Sequence, residues 1–242
     1  MTGPTKPEER RDELAANLAE VRARIGAACV ASVRSPGDVE LLAVTKTFPA
    51  SDVALLSELG LTAFAENRDQ EAAAKVVDFA DLRPGAAVRW HMVGNVQRNK
   101  ARSVVSWADR VDTVDSVRLA DALAKAAAQR GRPLEVLIQV SIDGDPARGG
   151  CPIPDVAALA DHVAGSSELL LRGVMAVAPI DMNPASAFSV LAGEVSRLRR
   201  DHPAATVVSA GMSGDLEDAI AQGSTCVRVG TALLGGRRLA SP

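Results

Sequence analysis

Eight short runs of apolar and β-branched residues recur along this chain, at residues 41–46, 63–67, 88–93, 110–114, 135–142, 171–178, 206–212 and 226–233. Between them lie segments carrying Ala, Leu, Glu and Arg at helical spacing, at 52–59, 69–79, 116–130, 153–164, 185–199 and 215–222. Strand alternating with helix implies parallel strands, because a parallel neighbour is reached only by a crossover. Eight such units within about 200 residues are enough to close on themselves, so the pattern predicts an α/β fold, a (β/α)8 TIM-type barrel, with an open doubly wound sheet as the alternative. An additional N-terminal helix is predicted over residues 8–30, where Leu14, Leu18, Val21 and Ile25 follow at spacings of four, three and four. A chain of 242 residues suits one such barrel, and neither a linker nor a repeat of solenoid length divides it. Residues 1–242 are therefore read as a single domain, with 1–7 disordered and the barrel over 41–235.

Charge and composition narrow the function. With 27 basic against 30 acidic side chains there is no positive excess to neutralise a phosphate backbone, so no nucleic-acid partner is expected. The absence of Tyr removes any phenolic acid or base from the chain, and four Phe and two Trp are too few for a base-stacking platform. Three separated cysteines, Cys29, Cys151 and Cys226, form no C-x-x-C pair and read as free thiols in a reducing compartment. The polar N-terminus carries no apolar signal region, and no apolar run approaches membrane-spanning length, so a cytoplasmic protein with no membrane partner is expected. The G-x-G-x-x-G fingerprint does not follow the first strand, which argues against a nicotinamide cofactor.

A barrel works at the face where its strands end, so the last residues of each run form one set. Counting by twos along LLAVTKT puts Leu42, Val44 and Lys46 on one inward face, with the lysine at the rim. Such an amine is either a lysine reaching for solvent or the nucleophile of a Schiff base. The second run ends in Glu66 and Asn67; the third contains His91, which with His162 and His202 scattered elsewhere suggests a supporting role and no metal cluster. After the seventh run the chain turns through Ser209, Gly211, Met212 and Ser213 towards Asp215, and after the eighth through Gly230 and Thr231. Two small, hydroxyl-bearing turns at the last two strands are the usual barrel phosphate site. Arg228 shares a face with Cys226 and Gly230, and its permanent charge demands an acceptor. A pyridine nitrogen of a ligand is one such acceptor, and a carboxylate such as Asp112 is the other.

Taken together, LLAVTKTFP, AFAENRDQE, WHMVGNVQRNK, LRGVMAVAP, SAGMSGDLEDAIAQGST and VRVGTALLG, in order from residue 41 to 235, resemble the pyridoxal 5'-phosphate (PLP) homeostasis proteins, a PLP-binding barrel family related to the N-terminal domain of alanine racemase. The resemblance implies that Lys46 carries PLP as a Schiff base and that Ser209, Met212, Ser213, Gly230 and Thr231 hold its phosphate. It also sets Arg228 at the pyridine nitrogen and Asn67 beside the ring. The chain departs from the family pattern at Arg68, where Tyr is usual, at the variable Asn95, and at Arg148 in SIDGDPARGG, which occupies a lysine position. An arginine cannot serve there as a covalent relay for the cofactor.

The implied function is reversible PLP binding in intracellular PLP homeostasis and amino-acid balance, with apo PLP-dependent enzymes as recipients and no dedicated catalytic activity. The main alternative is a PLP-dependent amino-acid racemase. In related racemases a tyrosine from a second, β-rich domain supplies the second base, and this chain has no Tyr and leaves no room for that domain after residue 235. A sugar-phosphate enzyme on the same barrel would keep the phosphate turns but give Lys46 no Schiff base.

Overall fold

The structure, a computed structural model, describes residues 7–145 and 148–236. Among these, β1 (Glu40–Val44), β2 (Ala63–Glu66), β3 (Arg89–Met92), β4 (Arg110–Val114) and β5 (Leu134–Ser141) follow one another around a parallel sheet. A two-residue strand, β6 (Cys151–Pro152), hangs on the end of β5. The sheet then continues through β7 (Leu169–Met175), β8 (Val207–Ser209) and β9 (Cys226–Val229). Pairing of β9 with β1 and of β4 with β5 closes eight strands into the predicted barrel. The helices α2 (Ala50–Glu58), α3 (Asp69–Leu82), α4 (Ala101–Trp107), α5 (Val117–Ala127), α6 (Val156–Ala164), α7 (Pro184–Asp201), α8 (Leu216–Ala221) and α9 (Thr231–Leu234) form the outer layer. An additional helix, α1 (Pro7–Ala31), precedes them.

Residue alternation explains the layers. Ala43 in β1, Phe64 in β2, Val111 in β4 and Val227 in β9 point outward into the main apolar core, where they meet the helices. Their neighbours Leu42, Ala63, Ala65 and Cys226, with Val44 and Val93, form a separate inner cluster. The inward column Leu42, Val44, Lys46 read from the sequence is therefore realised, with Lys46 in the turn just past β1. On α1, Leu14, Leu18, Val21 and Ile25 are the buried stripe.

Several boundaries differ from the sequence reading, each for a physical reason. The last apolar run splits: β9 stops at Val229, and Thr231–Leu234 is a helix, with Leu233 and Leu234 buried and their carbonyls accepting from Asn17 and Arg10 of α1. A short apolar run cannot by itself separate strand from helix. The seventh run is strand only to Ser209, because Gly211 turns the chain at φ +92 and a Cβ there would meet that of Ala219 at 2.6 Å. Helix α4 was not foreseen: its Ser and Val content gives a weak helical signal, and it forms because Val104, Val105 and Trp107 are buried against the core. Pro7, read as part of a disordered start, opens α1; residues 1–6 lie outside the described residues.

Candidate functional site

At the C-terminal ends of the strands a cavity of about 410 Å³ gathers residues from six of the eight barrel strands and the turns that follow them. Val44 and Lys46 come from the first strand and its turn, Asn67 from the second, Val93 and Gly94 from the third, and Met175 and Val177 from the seventh. Met212, Ser213 and Gly214 follow the eighth strand, and Arg228, Gly230 and Thr231 belong to the ninth and its turn. Of the residues singled out in the sequence, Lys46, Asn67, Met212, Ser213, Arg228, Gly230 and Thr231 thus line one cavity. Ser209 is not among the lining residues; it is fully buried, and its hydroxyl accepts from Arg228 at 2.9 Å.

Arg228 is 5% exposed and makes no ion pair among the described residues. One terminal nitrogen donates to the Ser209 carbonyl (2.7 Å) and hydroxyl, the other to the Ala176 carbonyl at 2.8 Å. Those bonds use three of the five N–H donors a guanidinium carries, so two are left without a partner among the described residues. The carboxylate alternative is overturned, because Asp112 is taken by Arg110 in a two-bond pair at 2.7 and 3.2 Å. Burial alone would raise the Asp112 carboxyl; the positive charges around it, Arg110 first, together hold it below the usual range.

Asn67 is fixed by close backbone contact. A Cβ on Gly94 would stand 2.1 Å from the Asn67 carbonyl oxygen, so only glycine lets the third strand's turn lie so near the second's. The side-chain oxygen Oδ1 of Asn67 is buried with no hydrogen-bond partner among the described residues. Behind Asn67 lies a larger hollow of about 670 Å³, lined in part by Arg68, Glu71, Gln97 and Lys100.

The two phosphate-type turns meet side by side. The Ser213 hydroxyl accepts from the Ala232 amide at 3.4 Å, joining the turn after β8 to α9. Asp215 accepts from the Met212 amide, and Arg24 of α1 grips the Ser213 carbonyl at 3.0 Å while pairing with Glu217.

His91 lies beneath the site and does not line it. It is fully buried with neither ring nitrogen bonded among the described residues, and burial, then the Arg110 charge, push its pKa down to about 3. His162 and His202 pair with Asp121 and Asp161 on the outside of the barrel. Arg148 is bound to Asp143 and Asp145 of its own loop and is not a lining residue of the cavity.

Two groups escaped the sequence reading. One is the tether from α1 to the Ser213 turn, which a local pattern cannot reveal. The other is Lys75, buried between α3 and the barrel wall against Glu66 at 2.6 Å. A signal for it existed: Ala72, Lys75 and Phe79 share the buried stripe of α3, so a lysine stands where an apolar residue is expected.

Comparison with known proteins agrees with this geometry. Residues 10–238 match the family described as alanine racemase, N-terminal domain. A pyridoxal phosphate homeostasis protein of Mycobacterium leprae is 45% identical over 248 residues, covering 97% of this chain and 96% of its own. PipY of Synechococcus elongatus, solved with PLP bound, superimposes with a TM-score of 0.79 at 32% identity, covering 92% of this chain and all of its own. The alanine racemase of Corynebacterium glutamicum, at 14% identity and a TM-score of 0.70, shares the fold; the match covers 96% of this chain and 62% of the racemase.

Proposed function

Because the chain belongs to the family of the pyridoxal phosphate homeostasis proteins, we propose that its cavity holds PLP on Lys46 and that it serves intracellular PLP homeostasis as a reversible carrier rather than a dedicated catalyst. The observation that carries this reading is the meeting, in one cavity, of a single primary amine, a guanidinium with spare donors and two small-residue turns.

The residues fit that cofactor. When bound, PLP supplies an aldehyde carbon that condenses with a primary amine and a ring that draws electrons from that carbon. Lys46 is the amine among the lining residues, and the turns at Ser213 and at Gly230 and Thr231 offer backbone N–H groups and hydroxyls to a phosphate, with Met212 closing the side. Asn67 would offer its side-chain amide to a polar group of the ring, and Val44, Val93 and Met175 would supply apolar wall against it. Arg228 can only donate, so a ring nitrogen facing it stays without a proton, which weakens the ring as an electron sink. Ser209 then belongs to the support of Arg228 rather than to the phosphate.

The racemase alternative needs a second base across the cavity. The chain contains no Tyr, and His91 is buried away from the lining residues with its pKa near 3. Among the described residues no helix is long and apolar enough to cross a membrane, and the reading places the carrier in the cytoplasm, with apo PLP-dependent enzymes as recipients.

The test is to mix PLP-loaded protein with an apo PLP-dependent enzyme and, in parallel, to follow D-alanine formation from saturating L-alanine by chiral chromatography. The expected result is recovery of the recipient's activity with negligible D-alanine. Sustained turnover of about 1 to 10³ per second, the range of ordinary enzymes, would restore the racemase.

A further inference from the structure

We propose that Lys75, which does not line the cavity, is the positioning residue that fixes the direction from which Lys46 enters it; the proposal rests on Lys46 being the PLP-binding amine. The Lys75 ammonium donates to three acceptors: the Glu66 carboxylate at 2.6 Å, the Thr45 carbonyl at 2.8 Å and the Glu71 carboxylate at 3.3 Å. An ammonium has three donors, so none remains for a ligand. Thr45 and Thr47 are the residues on either side of Lys46. The Thr45 carbonyl is held by Lys75 directly, and its hydroxyl donates to the same Glu66 oxygen at 2.6 Å. The Thr47 amide donates to Glu71 Oε1, the oxygen that also accepts from Lys75. Both peptide units bracketing Lys46 are therefore anchored to one buried ammonium behind the barrel wall.

The turn needs such an anchor. Thr47 sits at φ +68, a left-handed conformation that a β-branched residue rarely adopts, and it persists only where its surroundings enforce it. Lys46 is itself exposed and has no hydrogen bond or ion pair to the described residues, so the turn, not its own contacts, sets the course of its side chain. Condensation requires the free Lys46 amine to attack the aldehyde carbon; the carbonyl oxygen leaves as water with the two amine protons, and a C=N bond remains. The stability of that bond depends on whether the turn lets the Lys46 side chain reach the aldehyde carbon without strain, whereas seating of phosphate and ring does not.

The experiment compares PLP with 4'-deoxypyridoxine 5'-phosphate, which has the same ring and phosphate but a methyl group in place of the aldehyde. Affinity for both is measured on the full chain and on Lys75→Met and Glu71→Ala. Glu71→Ala cuts the Thr47 tether while leaving the Lys75–Glu66 pair, so it reports on the turn even if Lys75→Met does not fold. The expected result is PLP affinity weakened by about tenfold or more, the effect of about 1.4 kcal/mol of strain in the linked lysine, with the deoxy analogue bound within about twofold of the unaltered chain. Equal weakening of both ligands would reduce the network to a structural role and overturn the proposal, as would PLP affinity unchanged in Glu71→Ala. If the unaltered chain itself binds PLP no more tightly than the analogue, it is the assignment of Lys46 that fails.

Discussion

Arg228 carries more than one duty, and its neighbours separate them. Inside the barrel it ties the carbonyls of Ser209 and Ala176, at the ends of two adjacent strands, to β9, and it also lines the cavity. Arg228→Gln shortens the side chain and strands buried carbonyl oxygens, and a lost charge-assisted bond costs about 1.5 to 3 kcal/mol. Denaturant unfolding should register a loss of about that size. Binding should register a second effect: with the guanidinium gone, a ring nitrogen in the cavity becomes free to take a proton, so the bound cofactor's absorption should acquire a pH dependence that the unaltered protein lacks. An unchanged spectrum and unchanged PLP affinity would mean that Arg228 serves the barrel alone. The inward side of Arg228 was legible from alternation along β9. The acceptors were not, because main-chain carbonyls of neighbouring strands leave no mark in a sequence.

At the scale of elements, the interior of β3, β4 and β9 is unusual in holding His91, Arg110, Asp112 and Arg228 where many barrels stack branched apolar residues. Arg110 and Asp112 are satisfied by each other; His91 is bonded by neither. A free histidine titrates near 6.5, whereas His91 stays neutral until pH falls to about 3. The unfolded chain therefore binds a proton that the folded one refuses, and stability is lost as pH falls from 6.5 towards 3, by up to about 1.4 kcal/mol per pH unit. Asp112, with its carboxyl held low by Arg110, contributes stability that is fully present above the usual carboxylate range and is lost only below it. Unfolding free energies at pH 7, 5.5 and 4.5 separate the two: His91→Leu should flatten the slope in this interval, leaving the drop below pH 4 in place. Equal slopes in both proteins would contradict the buried neutral histidine. Which elements exist was readable from periodicity for nearly the whole barrel. The exceptions, α4 and α9, are short helices whose existence depends on what they pack against, and a propensity argument cannot see tertiary partners.

For the whole molecule, the barrel brings to one rim residues that are far apart in the chain: an amine after the first strand, an amide after the second, and two turns after the last two. Most of that rim could be read in advance because strand ends share one face in any (β/α)8 barrel. The support behind it was less legible: the stripe of α3 marks Lys75 as a buried lysine, but its bonds to the Lys46 turn, like the α1 grip on the Ser213 turn, join segments that no local pattern connects. If Lys46 is the amine that holds PLP, loading the protein with PLP, reducing it with borohydride and mapping the label by peptide mass spectrometry should yield one modified peptide, carrying the label on Lys46. A label on Lys100 in the neighbouring hollow or on any other lysine, or no label at all, would contradict it.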